Sequence, residues 1–218
     1  AEKLVDRGVP VLRIGNPSRV NDKMLSFTYE RRFEGHPAYT ELWGIRKSIR
    51  EMGNRMRKSS YSEREAAHSR INHLRERATE LEIQINEDLF SGARVIASTL
   101  VSSNHRILTG RRFTTLFIDE AAQALEAACW IAIRKADRVI FAGDHCQLPP
   151  TIKCIEAARN GLEQTLMEKV AANKQETVSL LKVQYRMHQS IMQFSSEWFY
   201  QGELQAAPEV TNRGILDL

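Results

Sequence analysis

Apolar positions along this chain follow two different periods. Leu116, Phe117 and Ile118 form a short unbroken run that ends abruptly in Asp119-Glu120, and Val139 to Ala142 ends the same way in Gly143-Asp144. Runs this short suit strands buried on both faces of a parallel sheet. A helix-length segment, Gln123 to Lys135, separates the two. Val9 to Ile14, Ala93 to Thr99 and Thr177 to Val183 are predicted as further strands. Between 41 and 89 the period changes. Leu42, Ile45, Ile49, Met52 and Met56 step by three and four, as do Ala67, Ile71, Leu74, Ala78, Leu81 and Ile85. Each set predicts a helix with a narrow apolar seam. Ser59-Ser60-Tyr61-Ser62 parts them, and Ser62 with Glu65 makes a capping-box pattern for the second. The simplest arrangement is an antiparallel helical hairpin. Shorter helices are predicted at Ala1 to Arg7 (closed by Gly8), Glu156 to Ala172 and Gln189 to Tyr200, with a turn at Gly15-Asn16-Pro17-Ser18 and a polar linker at 173–176. The fold class is therefore α/β: a partial parallel sheet with flanking helices and an inserted antiparallel hairpin.

Composition narrows the setting. A chain of 218 residues holds one large domain, or one and part of another. Lysine and arginine number 31 against 27 acids, a mild excess that permits nucleic acid as a partner without demanding it. No run approaches membrane-spanning length, and the first residues lack a basic-then-apolar signal pattern, so no membrane partner is expected. Cys129, Cys146 and Cys154 are odd in number and show no CxxC spacing, which argues against a disulfide scaffold and a zinc site. An intracellular, reducing location is expected.

The candidate chemistry lies where the strands end. Ligands of open parallel sheets collect at the carboxyl ends of the strands, so Asp119, Glu120, Asp144 and Gln147 share one rim. Taken singly, the acid pair reads equally as a helix cap and Gly143-Asp144 as an ordinary turn. The two at one helix's separation point to a nucleotide-hydrolysing site. Arg186 follows another predicted strand, and its fork suits a transferring phosphoryl group; it reads equally as the partner of a local acid. Tyr185 offers a flat face for a base, or belongs to the core. His188 caps or packs. Ser102-Ser103-Asn104, after the Ala93 to Thr99 run, can donate to phosphates, cap a helix or fill a turn. The hairpin tip carries Arg50, Arg55, Arg57, Lys58, Arg64 and Arg70, either a solvated face or a positive arm for a phosphate backbone.

DEAAQ (119–123), GDHCQLPPT (143–151) and VQYRMH (183–188), with RIGNPSRV (13–20) and VIASTLVSSN (95–104), resemble the superfamily-1 helicases of the immunoglobulin mu-binding-protein type, related to the helicase of nonsense-mediated mRNA decay. The likeness covers nearly the whole chain and implies two RecA-like lobes with ATP and Mg²⁺ between them. Residues 1–30 and 90–173 would form an incomplete first lobe, 31–89 the hairpin, and 174–218 the opening of the second. By matching position, the resemblance implies that Asp119 holds the Mg²⁺ water shell and Glu120 orients or deprotonates the attacking water. Gln147 would bond the γ-phosphate, Asp144 support that loop, and Gln123 link it to the acids. Arg186 would act as an arginine finger and Tyr185 would stack on adenine. Asn16, Pro17, Ser98, Thr99 and Pro150 would lie along a single-stranded or duplex nucleic acid.

The departure from that family is the missing GxxxxGK[ST] loop. The expectation is that the chain is an excised middle of a larger helicase, negligible as an ATPase by itself. Its exposed sheet edges would suit an oligomeric or swapped arrangement. The alternatives are a non-catalytic nucleic-acid-binding module that keeps the fold, and a structural protein with an interaction hairpin; mere binding needs neither the acid pair nor Gln147 and Arg186.

Overall fold

The computed structural model describes residues 1–56 and 61–214, apart from the side chains at 19, 61–63 and 66. The chain divides into two compact units, Ala1–Arg112 and Phe113–Leu218. In the first, α1 (Glu2–Asp6) stops at Gly8, whose φ of 74° lies in the left-handed region that glycine adopts freely. β1 (Val11–Ile14) pairs in parallel with β2 (Val95–Ser98), Val11 opposite Val95 and Ile14 opposite Ser98. Val11, Leu12 and Ile14 are all buried, so β1 is covered on both faces, with Arg13 the one partly exposed position. Between the paired strands come α2 (Asp22–Leu25), α3 (Tyr29–Glu34), α4 (Tyr39–Met56) and α5 (Tyr61–Ser91).

α4 and α5 meet along the predicted seams. Leu42, Ala78, Leu81 and Ile85 are buried together, ringed by Phe33, Ala38, Tyr39, Ile45 and Leu89. Each fully buried Leu or Ile contributes about 1.5–3 kcal/mol. Arg46–Glu82 at 2.6 Å and Arg77–Glu41 at 3.0 Å flank the seam, but all four side chains are a third or more exposed. Such pairs contribute at most ~1 kcal/mol each, so the apolar seam holds the helices. The base of α5 is fastened separately: Tyr29 Oη donates to Asn86 Oδ1 at 2.9 Å. Arg111 lies 3.8 Å over the Phe90 ring and pairs with Glu87 at 2.6 Å. The expected separator Ser59-Ser60, and the Ser62 side chain of the capping box, lie outside the described residues.

In the second unit β3 (Phe113–Ile118) pairs in parallel with β4 (Ala136–Phe141), Ile118 opposite Phe141. α6 (Glu126–Ile133) crosses between them, and residues 121–123 form a 3-10 turn ahead of it. α7 (Ile155–Ala157) and α8 (Leu166–Asn173) replace the single helix expected over 156–172. The break has two causes. Gly161 turns left-handed at φ 96°, and Thr165 restarts the helix as a capping box, accepting from Glu168 N at 3.2 Å while its own amide donates to Glu168 Oε2 at 2.6 Å.

The strand expected over 177–183 is found only at β5 (Val183–Gln184), which α9 (Gln189–Phe199) joins to its parallel neighbour β6 (Gln205–Ala206). Residues 175–177 are a 3-10 turn, and Leu181 is 88% exposed. An apolar run becomes a strand only where a ladder partner exists, and β6 offers two residues. No helix of the described residues is long and apolar enough to cross a membrane.

Candidate functional site

β3 and β4 deliver their acids to the same end of one ladder. The pairing continues past the strands: Ala142 N donates to Ile118 O at 2.8 Å and Ala121 N to Ala142 O at 2.9 Å. This close approach depends on Gly143. A Cβ there would lie 2.9 Å from Ala121 N, 3.0 Å from Ala122 N and 3.0 Å from Met167 Sδ. Glu120 occupies the left-handed region, φ 53° and ψ 39°. For a non-glycine residue that conformation costs on the order of 1–2 kcal/mol, and such costs gather at functional sites. Asp119 Oδ1 accepts from Glu120 N at 3.2 Å. Both side chains are exposed, and among the described residues neither enters an ion pair.

The loop after β4 is organised by Asp144. Its Oδ1 accepts from Cys146 N at 3.1 Å, and its Oδ2 accepts from Gln147 Nε2 at 2.7 Å and from the Tyr200 hydroxyl. An ionised carboxylate only accepts, so the Gln147 amide must present its NH₂ group to Asp144. Its carbonyl oxygen and second N–H stay available, and the side chain is exposed. Burial pushes the Asp144 carboxyl up, but hydrogen bonds from Tyr200, Gln147 and the Cys146 amide outweigh it and hold the group below its ordinary value. The Tyr200 phenol moves well above its usual range, first by burial and then by the carboxylate beside it. Asp144, His145 and Cys146 place ligand atoms within 4.8 Å of one another. Both Asp144 oxygens already accept hydrogen bonds, so Asp119 and Glu120 are the oxygen donors better suited to a hard cation.

After β5, Gln184 pins the turn that carries Tyr185 and Arg186. Its Oε1 accepts from Arg186 N at 2.8 Å and Met187 N at 2.9 Å, and its Nε2 donates to Met187 O at 2.7 Å. Tyr185 and Arg186 project outward, and among the described residues the Arg186 guanidinium has no hydrogen-bond or ion-pair partner. His188 caps α9, its Nδ1 accepting from Ser190 N at 3.1 Å. Gln123 is exposed in the 3-10 turn after the acids. The structure thus joins Asp144 to Gln147 directly and brings Asp119 and Glu120 to the adjoining strand end. No hydrogen bond or ion pair among the described residues joins Arg186 to them. Gln184 and Tyr200 were not singled out by the sequence. Gln184 stands inside the VQYRMH motif but was given no role there; the Tyr200 contact spans 56 residues and leaves no local pattern.

In the first unit β1 and β2 also end side by side. Asn16 Oδ1 accepts from Ser18 N at 3.0 Å and Ser18 Oγ at 2.8 Å. Thr99 Oγ1 bonds Ser102 Oγ at 2.8 Å. Gly15, at φ 138°, lets the two turns meet, since a Cβ there would lie 3.2 Å from Ser102 Oγ. Asn16, Ser98 and Thr99 are exposed, Pro17 is half-buried, and Arg55 is exposed on α4. Pro150, in the second unit, is buried. Lys58 lies outside the described residues.

Comparison with known proteins agrees with these motifs. Two family profiles, each described as an AAA domain, match residues 1–154 and 162–216. The chain is 34% identical to DNA-binding protein SMUBP-2 of Rattus norvegicus across 95% of its length, and 31% identical to the DNA polymerase alpha-associated DNA helicase A of Schizosaccharomyces pombe across 100%. It is 41% identical to a Regulator of nonsense transcripts 1 homolog of Drosophila melanogaster across 54%. It covers 22%, 32% and 10% of those three proteins. On its motifs, its matched profiles and these likenesses, the chain belongs to the AAA-domain superfamily-1 helicases of the immunoglobulin mu-binding-protein and nonsense-mediated-decay type.

Proposed function

We propose that this chain contributes the hydrolytic half of an ATP-driven translocase or helicase acting on single-stranded or duplex nucleic acid. The observation that carries the reading is the shared rim of β3 and β4. There an unpaired acid couple and a glutamine fixed by its own aspartate are held together by a glycine whose Cβ, were it present, would lie 2.9 Å from backbone. In this reading the second unit combines parts of both RecA-like lobes, and α4 with α5 forms an inserted antiparallel hairpin. The parallel strands β1 and β2 on either side of those helices support that arrangement.

Each residue has a chemical assignment. Asp119 keeps one carboxylate oxygen free for the water shell of a hard cation such as Mg²⁺. Glu120 stands next to it as the base that orients or deprotonates the attacking water. Mg²⁺-bound ATP, when present, supplies the phosphoanhydride and a cation that offsets its charge. Gln147, with one N–H spent on Asp144, retains a donor and an acceptor for the γ-phosphate and its water. The Gln123 side chain is available to link the acids to that loop. Arg186 offers an unpartnered fork to charge developing on a phosphoryl group, and Tyr185 an exposed ring to the adenine. Asn16, Pro17, Ser98 and Thr99, at the end of the β1–β2 ladder, are assigned to the nucleic-acid track together with Pro150, Arg55 and Lys58.

Nucleic-acid-stimulated ATP hydrolysis by the full-length protein tests the assignment. Arg186→Ala and Asp119→Asn are expected to reduce turnover by about 100-fold or more, the scale of losing one charge-stabilising group. Turnover within twofold of wild type for both variants would overturn it. Measurable nucleic-acid binding without any hydrolysis by the wild type would favour the non-catalytic binding module.

A further inference from the structure

We propose that Tyr200 is a positioning residue for the glutamine loop: its hydroxyl holds the Asp144 carboxylate, and that carboxylate in turn holds the Gln147 amide. This inference rests on the assignment of Gln147 to the γ-phosphate. Asp144 Oδ2 is the common acceptor, taking one hydrogen bond from Gln147 and one from Tyr200. With one donor gone, the carboxylate is freer to rotate, and rotation turns the Gln147 amide with it. A second tie runs alongside, the Cys146 thiol donating to the Phe199 carbonyl at 3.8 Å. The loop is therefore fastened to the C-terminal end of α9 at two points.

The other end of α9 gives this fastening a purpose. His188 caps that helix immediately after Tyr185 and Arg186, whose turn Gln184 pins. One rigid element of 11 residues thus runs from the arginine turn to the glutamine loop, a span of about 16 Å at 1.5 Å per residue. A displacement of the arginine end on phosphate contact is passed along α9 to Tyr200 and so to Gln147. The raised phenol keeps Tyr200 a protonated donor throughout the neutral pH range. Removing the hydroxyl alone isolates this role, because the ring and its edge contact with Phe199, centroids 6.4 Å apart, remain.

The test is steady-state, nucleic-acid-stimulated ATPase of the full-length protein. Tyr200→Phe is expected to lower kcat about tenfold, with KM for ATP within about twofold. Asp144→Asn is expected to lower kcat at least as far, with Tyr200→Phe adding nothing in the double variant, as a shared path requires. The Gln147 side-chain amide resonance of the 218-residue chain is expected to shift in Tyr200→Phe, a readout independent of turnover. A kcat within about twofold of wild type, or losses that multiply in the double variant, overturns the inference. If Gln147→Ala is also silent, the assignment of Gln147 has failed and this inference falls with it. If Gln147→Ala is crippled and Tyr200→Phe is not, only the inference falls.

Discussion

Substituting alanine for Gly143 isolates the contact that holds the acid pair beside the glutamine loop. The added Cβ would stand 2.9 Å from Ala121 N and 3.0 Å from Ala122 N, closer than carbon and nitrogen tolerate. Both are backbone atoms, and Ala121 N is itself donating to Ala142 O at 2.9 Å, so neither yields without breaking the ladder extension. Only the third neighbour, Met167 Sδ, is the movable part of a flexible side chain. Overpacking of this kind costs about 1–3 kcal/mol. For a chain of this size that corresponds to a melting temperature lower by very roughly 2–12 °C. The backbone at Gly143 does not require a positive φ, so the penalty is steric and not conformational. Gly44 and Gly53 in α4 are the controls. A Cβ at either meets nothing within 4 Å, and alanine there should stabilise by about 0.5–1 kcal/mol. Thermal melting of the three variants decides the matter. If Gly143→Ala melts with wild type, the close approach is not what holds the rim, and the argument from it fails.

Four further outcomes follow from the same structure. Ile85→Ala, at a fully buried seam position, should cost about 2–5 kcal/mol by chemical denaturation, whereas Ile83→Ala at 58% exposure should cost far less. Glu120→Gly relieves the left-handed backbone and should raise stability by up to about 1 kcal/mol while abolishing hydrolysis; a loss of stability would remove the claim of local strain. Asp144 has a depressed carboxyl, so its contribution is full above the ordinary carboxylate pKa of about 4 and is lost as pH falls through the lower folded value. The stability gap between wild type and Asp144→Asn should therefore narrow on acidification below about pH 4 in denaturant titrations, and a constant gap would contradict it. Arg55→Glu with Lys58→Glu should weaken nucleic-acid binding and flatten its slope against log salt by about 2, and an unchanged slope would take the helices off the nucleic-acid track.

The parts of this fold that were legible in the sequence were those in which one chemical signal has one structural outcome. Leu116 to Ile118 was legible as a strand ending in Asp119 and Glu120, and β3 does this, but the strand is not covered on both faces as expected: Ile118 is buried while Phe117 is 69% exposed. The helix seams were legible because Ala78, Leu81 and Ile85 repeat at helical spacing in α5, as Leu42 and Ile45 do in α4, and the two sets pack together. The run 177–183 misled, because apolar content alone does not provide the neighbour that a strand needs. Thr165 and Glu168 carry a capping signal in plain sight, but the apolar residues around them continue the helical pattern and hide it. The left-handed Glu120 and the Tyr200–Asp144 bond were not legible at all. Tertiary contacts impose them, and no local propensity anticipates either.

Glu120, at the end of β3, is the residue proposed to perform the hydrolytic step. Single-turnover hydrolysis of prebound ATP by the full-length protein, wild type against Glu120→Gln, measures that step without nucleotide exchange. The prediction is a rate lower by about 100-fold or more, with ATP affinity within about threefold of wild type. An equal single-turnover rate in the two proteins would contradict it.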